Sequence, residues 1–182
     1  MSIVLISPFS NSDIRDWPLR HFREVIRLLL TADEHLEVQV VGTAAQRVRA
    51  NEIVREFDAT RVHNRCGRMS WDGLLQACAA ADCVVANNSG VAHAAAQRGA
   101  RVICLFGGSH RRAEWRPIGA VTLLSPVASC SPCHLDHGAA CPVDKACLLA
   151  IAPQSVARAV LAAATSSRRG SQYNAGAVQE RS

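Results

Sequence analysis

Aromatic residues are scarce in this chain, 4% of 182 residues. No basic stripe is interleaved with those few, which argues against a nucleic-acid surface built on base stacking. Long hydrophobic runs are also missing, and none approaches the roughly 20 residues of a membrane-spanning helix. The apolar start, Ile3 to Ile6, has strand length and no basic leader, so it does not read as a signal peptide and a cytoplasmic location is expected. Ala, Val and Leu dominate the 49% of apolar residues instead. That composition suits buried parallel strands covered by Ala-rich helices, in a chain long enough for one domain with a good core. The net charge is +5. Most of the excess is scattered Arg, and two units come from Arg168, Arg169 and Arg181 against Glu180 near the end of the chain. A basic face of this kind suits a phosphorylated ligand or an anionic membrane surface.

Strand and helix patterns alternate along the chain. Ser2–Ser7 reads as a strand, followed by the loop Pro8-Phe9-Ser10-Asn11-Ser12. Pro18 opens a helix whose Phe22, Val25, Ile26 and Leu29 form one apolar face. Glu37–Val41 is a strand, Val48, Ile53 and Phe57 suggest a second helix, and Val62–His63 a short strand. Ser70 caps a third helix that turns Gly73, Leu74, Leu75 and Cys78 inward. Val121–Leu124 is a later strand, and Pro153-Gln154-Ser155 starts a final helix reaching about Ala164. Five or six strands interleaved with helices predict an α/β fold, a doubly wound parallel, Rossmann-like sheet over residues 1–164. The polar, patternless segment 165–182 reads as a disordered tail.

Residues 82–108, DCVVANNSGVAHAAAQRGARVICLFGG, are the most informative stretch. The run Cys83–Ala86 ends in the turn Asn87-Asn88-Ser89-Gly90, and a short helix, Val91–Arg98, follows. Gly99 stops it, and a second apolar run, Arg101–Phe106, ends in Gly107-Gly108-Ser109. Strand, turn, helix and strand make a βαβ unit, whose ligands sit outside the carboxyl ends of the strands. Ser89 and Gly90 also open a helix, so free N–H groups and the positive end of its dipole would face an anion such as phosphate. Gly and Ser are equally ordinary turn residues, so a turn that binds nothing stays open. His93, in the first helical turn, lies near the mouth of the site or serves as a surface residue.

Eight cysteines divide into two sets. Cys66, Cys78, Cys83 and Cys104 fall where cysteine acts as a small buried apolar residue. Cys130, Cys133, Cys141 and Cys147 cluster in one irregular loop, 130–147, and a C-x2-C knuckle with two further thiols can close a tetrahedral zinc or iron site. His134 and His137 are candidate substitutes for a thiol. Unligated thiols and disulfides are the alternatives, with disulfides last in a reducing compartment. No open coordination position is implied, so any such metal is structural and no catalytic cofactor is expected.

Four segments, in order, resemble the carboxyl-terminal half of family 9 glycosyltransferases, the heptosyltransferases of lipopolysaccharide assembly. Residues 8–23, PFSNSDIRDWPLRHFR, are similar to a family loop with a basic residue ahead of Trp-Pro and a helix. Residues 67–77, GRMSWDGLLQA, resemble a Gly-x-x-Ser segment, and NNSGVAHAAA resembles the Asp-Ser/Thr-Gly-x-x-His-x-x-Ala signature. The stretch CSPCHLDHGAACPVDKACLLAIAPQSV is similar to a Cys-x-x-Cys-Pro-Cys loop. The resemblance implies one half of a GT-B enzyme that binds a nucleotide-sugar donor, usually ADP-heptose, and passes the sugar to a lipid-linked acceptor. It implies that Ser89, Gly90 and Val91 offer N–H groups to the diphosphate and that Arg15 stands in for a phosphate-neutralising Lys. Gln46 falls where an acidic residue holds the ribose, and Met69 lies beside the adenine. Asn88 occupies the place of an Asp that contacts the sugar. The acceptor contacts and the catalytic base belong to an amino-terminal domain of the family, so no residue here is expected to be the base. Activity is expected to need that domain as a separate partner, with the protein in the cytoplasm or peripheral at the inner membrane. A non-catalytic nucleotide-binding or regulatory subunit, or an interaction module stapled by metal at its Cys loop, are the alternatives.

Overall fold

A computed structural model describes residues 2–165 of the chain. Six parallel strands form one sheet in the order β3-β2-β1-β4-β5-β6. They are β1 (Ser2–Ser7), β2 (Leu36–Val40), β3 (Val62–Asn64), β4 (Cys83–Asn87), β5 (Val102–Leu105) and β6 (Val121–Leu124). The helices are α1 (Leu19–Ala32), α2 (Arg47–Val54), α3 (Trp71–Ala80), α4 (Gly90–Gln97), α5 (Arg112–Trp115) and α6 (Ala146–Leu149). A seventh, α7, occupies residues 153–165.

Successive strand residues feed opposite layers, as the period of two requires. Val4 and Ile6, Val38 and Val40, Cys83 and Val85, and Ile103 and Leu105 pack under α1, α2 and α7. Leu5, Val84, Ala86, Val102 and Cys104 pack under α3 and α4. Small residues on α4, Ala92, Ala95 and Ala96, let that helix lie close on the sheet. Both faces are therefore covered, and the sheet is the expected doubly wound one. Because β1 lies between β2 and β4, the helices after β1 and β4 leave in opposite directions. That topological switch point opens a crevice at the carboxyl ends of β1 and β4.

The sequence reading differs from the structure locally. Asn87 ends β4 instead of starting the turn, and it is fully buried. Val48 faces solvent at 75% exposure because α2 ends at Val54, before Phe57, and buries Ala50 and Ile53. Leu74 is only half-buried, whereas Leu75 and Cys78 are buried as expected. Two short helices, α5 and α6, have too few residues to show a period and were not foreseen. Thr165 continues α7, and the disordered-tail reading otherwise falls on residues 166–182, outside the described residues. No helix among the described residues is long and apolar enough to cross a membrane.

Candidate functional site

The loop after β1 is locked in place. Trp17, 1% exposed, donates its indole N–H to Leu148 O at 3.0 Å and meets Phe22 edge-on at 5.0 Å. Asn87 bridges β4 to this loop: its amide donates to Pro8 O at 2.7 Å and its carbonyl accepts from Trp17 N at 3.1 Å. Asp16 closes the loop by accepting from Ser10 N at 2.7 Å and Ser10 Oγ at 2.8 Å. Burial pushes the Asp16 carboxyl above the usual carboxylate range, against the opposing pull of the Ser10 hydrogen bonds, Arg49 and Lys145. A buried polar network of this density fixes where Ser10, Asn11 and Arg15 stand.

Two compartments meet at Ser89 and Gly90. The first, about 420 Å³, is lined mainly by apolar atoms from Phe9, Gly42, Met69, Trp71, Leu74 and Val91. Ser70 caps α3 beneath it, accepting from Gly73 N at 3.2 Å, which sets Trp71 half-exposed over the opening. Gln46 lines the wall with its Oε1 accepting from Thr43 N at 2.8 Å, which fixes where its amide stands. The second compartment, about 390 Å³, takes Arg15, Asn88, His93, His110, Trp115 and Asp136 into its lining. Asn88 Oδ1 lies 3.2 Å from His93 Nε2. Desolvation lowers the His110 pKa, with Arg15 adding to it.

At the junction Ser89 is the N-cap of α4, in extended backbone, and its own hydroxyl makes no capping bond. Ser89 is 8% exposed and its Oγ is buried without a partner, as is the Nε of Arg15. The rest of the Arg15 guanidinium donates to Asn11 Oδ1. The α4 N-terminus and an unpartnered hydroxyl thus lie where the two compartments join, and a partly unpartnered guanidinium lines the second of them. Such a junction can hold an anion carrying a group on each side.

Of the residues that the sequence singled out, Arg15, Gln46, Met69, Asn88, Ser89, Gly90, Val91 and His93 all line one compartment or the other. Phe9, Trp71, His110, Trp115 and Asp136 join them without having been foreseen. Phe9 follows β1 directly and was within reach of a closer reading; the other four have no local pattern that signals a site.

The Cys loop contributes Asp136 to the lining of the second compartment. Gly138 N donates to Asp13 Oδ1 at 3.2 Å, His137 Nδ1 lies 3.2 Å from the same carboxylate, and Lys145 Nζ reaches Asp13 O and Asp16 O at 3.4 Å. Cys133 N donates to Gly108 O at 2.9 Å, and Gly108 N donates to Cys147 Sγ at 3.2 Å. Cys141 Sγ accepts from Lys145 N at 3.2 Å. All four loop thiols are free and half-buried. No three His, Cys, Asp or Glu side chains among the described residues are grouped to hold a metal ion. Cys66, Cys78, Cys83 and Cys104 are buried, and burial pushes their thiols up to about 11, 11, 12 and 12. They are packing residues, not nucleophiles.

Residues 1–140 match glycosyltransferase family 9 (heptosyltransferase). The chain belongs to this family. Among solved structures, E. coli ADP-heptose lipopolysaccharide heptosyltransferase II is 20% identical, with a TM-score of 0.76, over 92% of this chain and 47% of that one. E. coli heptosyltransferase WaaC with ADP is 20% identical, TM-score 0.67, over 89% of this chain and 44% of that one. A family 9 glycosyltransferase from Veillonella parvula gives a TM-score of 0.72 at 15% identity, over 91% and 46%. These likenesses establish the fold, and this family 9 chain spans less than half the length of each. A search of curated proteins finds no match.

Proposed function

We propose that this chain is the donor-binding half of a family 9 glycosyltransferase, holding a nucleoside diphosphate sugar across the crevice at Ser89 and Gly90. The observation that carries this reading is the pair of compartments, one apolar and one polar, joined at a helix N-terminus with unpartnered Ser89 and Arg15 groups. The nucleoside lies in the apolar compartment beside Met69, Phe9 and Trp71, with Gln46 near the ribose. The diphosphate meets the N–H groups of Ser89, Gly90 and Val91 and the Arg15 guanidinium, and the sugar enters the polar compartment toward Asn88 and His93.

In glycosyl transfer the bond from the anomeric carbon to the diphosphate breaks and the acceptor oxygen takes its place. Dipoles already aimed at the leaving diphosphate stabilise the charge it gains, with no reorganisation at the moment of reaction. Removing the acceptor proton needs a base, which we assign to an amino-terminal acceptor domain of the kind the family carries. ADP-heptose is the donor we favour, since solved relatives are named for ADP-heptose or contain ADP. A lipopolysaccharide-type acceptor and a site of action at the inner face of the membrane follow from the same reading. Asn88, neutral where the family signature has Asp, favours a second reading: a nucleotide-binding subunit that does not turn over.

Calorimetric titration of the full chain with ADP, ADP-heptose and UDP- and GDP-sugars tests the proposal. Saturable binding of one nucleotide sugar is expected. Binding of none would reject the donor-site reading.

A further inference from the structure

The polar compartment holds a complete set of groups for reading a sugar, and its carboxylate does not come from the α4 turn. Trp115 is half-exposed at 51% and lies in the wall. His110 packs against it with ring centroids 5.0 Å apart at 60°, and is itself tied to Ser109 Oγ through Nδ1 at 2.9 Å. An exposed indole held by a neighbour is a rigid apolar plate on which the C–H face of a sugar ring can lie. Hydroxyls of such a ring need acceptors. Asn88 Oδ1 already has His93 Nε2 at 3.2 Å, and Asp136 is the sole carboxylate among the lining residues.

Asp136 reaches this position because the loop that carries it is strapped to both neighbouring strand ends. On one side lie the contacts of Gly138 and His137 with Asp13, and on the other those of Cys133 with Gly108 and His134 with Ser109. The His137 N–H donates to Asp136 Oδ1 at 2.8 Å, and the Ser12 hydroxyl lies beside the same carboxylate. One amide on Oδ1 leaves most of the carboxylate's roughly four acceptor positions open.

We propose that Asp136 is the specificity-determining carboxylate of the polar compartment, accepting hydrogen bonds from the hydroxyls of an uncharged sugar that lies on Trp115. This inference rests on the reading of the crevice as a nucleotide-sugar site, and it assigns to the Cys loop the charged acceptor that neutral Asn88 does not supply.

The test is titration of the full chain and of Asp136→Asn with ADP and with ADP-heptose. Asp136 is exposed and Asn keeps an acceptor for the His137 N–H, so the variant folds; ADP affinity and melting temperature serve as internal controls. The unaltered chain is expected to bind ADP-heptose more tightly than ADP. Asp136→Asn should lose about tenfold in ADP-heptose affinity, the scale of one charge-assisted hydrogen bond, with ADP affinity held within about twofold. Unchanged ADP-heptose affinity in the variant overturns the inference, as does an equal loss for both ligands. ADP binding with no gain from the sugar overturns it while leaving the nucleotide site standing, and binding of neither ligand overturns both.

Discussion

At Gly90 a Cβ would meet nothing within 4 Å, so a larger side chain would project into the crevice without disturbing the core. Gly90→Val should keep its melting temperature while losing nucleotide affinity by about a hundredfold or more, because the diphosphate must approach the backbone there. Calorimetric titration beside thermal denaturation checks both halves of that statement, and unchanged affinity would remove the phosphate from this turn. Asp16 makes a prediction of another kind. Its folded-state pKa is raised, so in the window from about 4 up to that raised value the native chain binds more protons than the unfolded one. Its contribution is therefore most favourable at the acid end and is lost as pH rises through the window. Relative to Asp16→Asn, the unaltered chain should lose melting temperature as pH rises from 4 toward neutrality. A difference that grows with pH would mean that the Ser10, Arg49 and Lys145 contacts outweigh the desolvation.

Among elements, the loop before α1 and the Cys loop depend on each other. Lys145, His137 and Gly138 hold Asp13 and Asp16 from one side, while Asn87 and Trp17 hold the same loop from below. The Cys loop thus shapes the site whether or not it carries a metal. Its metal reading makes a distinct prediction. Replacing Cys130 and Cys133 together by Ser should release zinc or iron from the purified chain and lower its melting temperature, since a structural metal contributes directly to folding. Metal analysis of the unaltered chain decides the matter, and a metal-free preparation ends that reading. Cys147 and Cys141 would then act through their contacts with Gly108 N and Lys145 N, and losing either would cost about 1 kcal/mol for one unpaired amide.

For the whole molecule, local pattern determined the strands, the capped helices and the turn at Ser89-Gly90, because strand and helix periods, an N-cap and a strand-to-helix turn are each written within a few neighbouring residues. The family signature around Asn88 and His93 was legible for the same reason. Beyond that range the sequence was silent. Asn88 lies 27 residues before Trp115 and 48 before Asp136 along the chain, separations over which no periodicity links two side chains. Nothing local foretold that the Cys loop would close on Asp13. Those outcomes follow from strand order: placing β1 beside β4, with β5 next, brings the loops after all three strands to one edge of the sheet. Sequence alone determined the fold class, the family and the strand-to-helix turn at Ser89-Gly90. Which distant loops wall that turn, and which carboxylate lines the second compartment, only the tertiary structure decided, because loop neighbours at a sheet edge are set by strand order and not by distance along the chain.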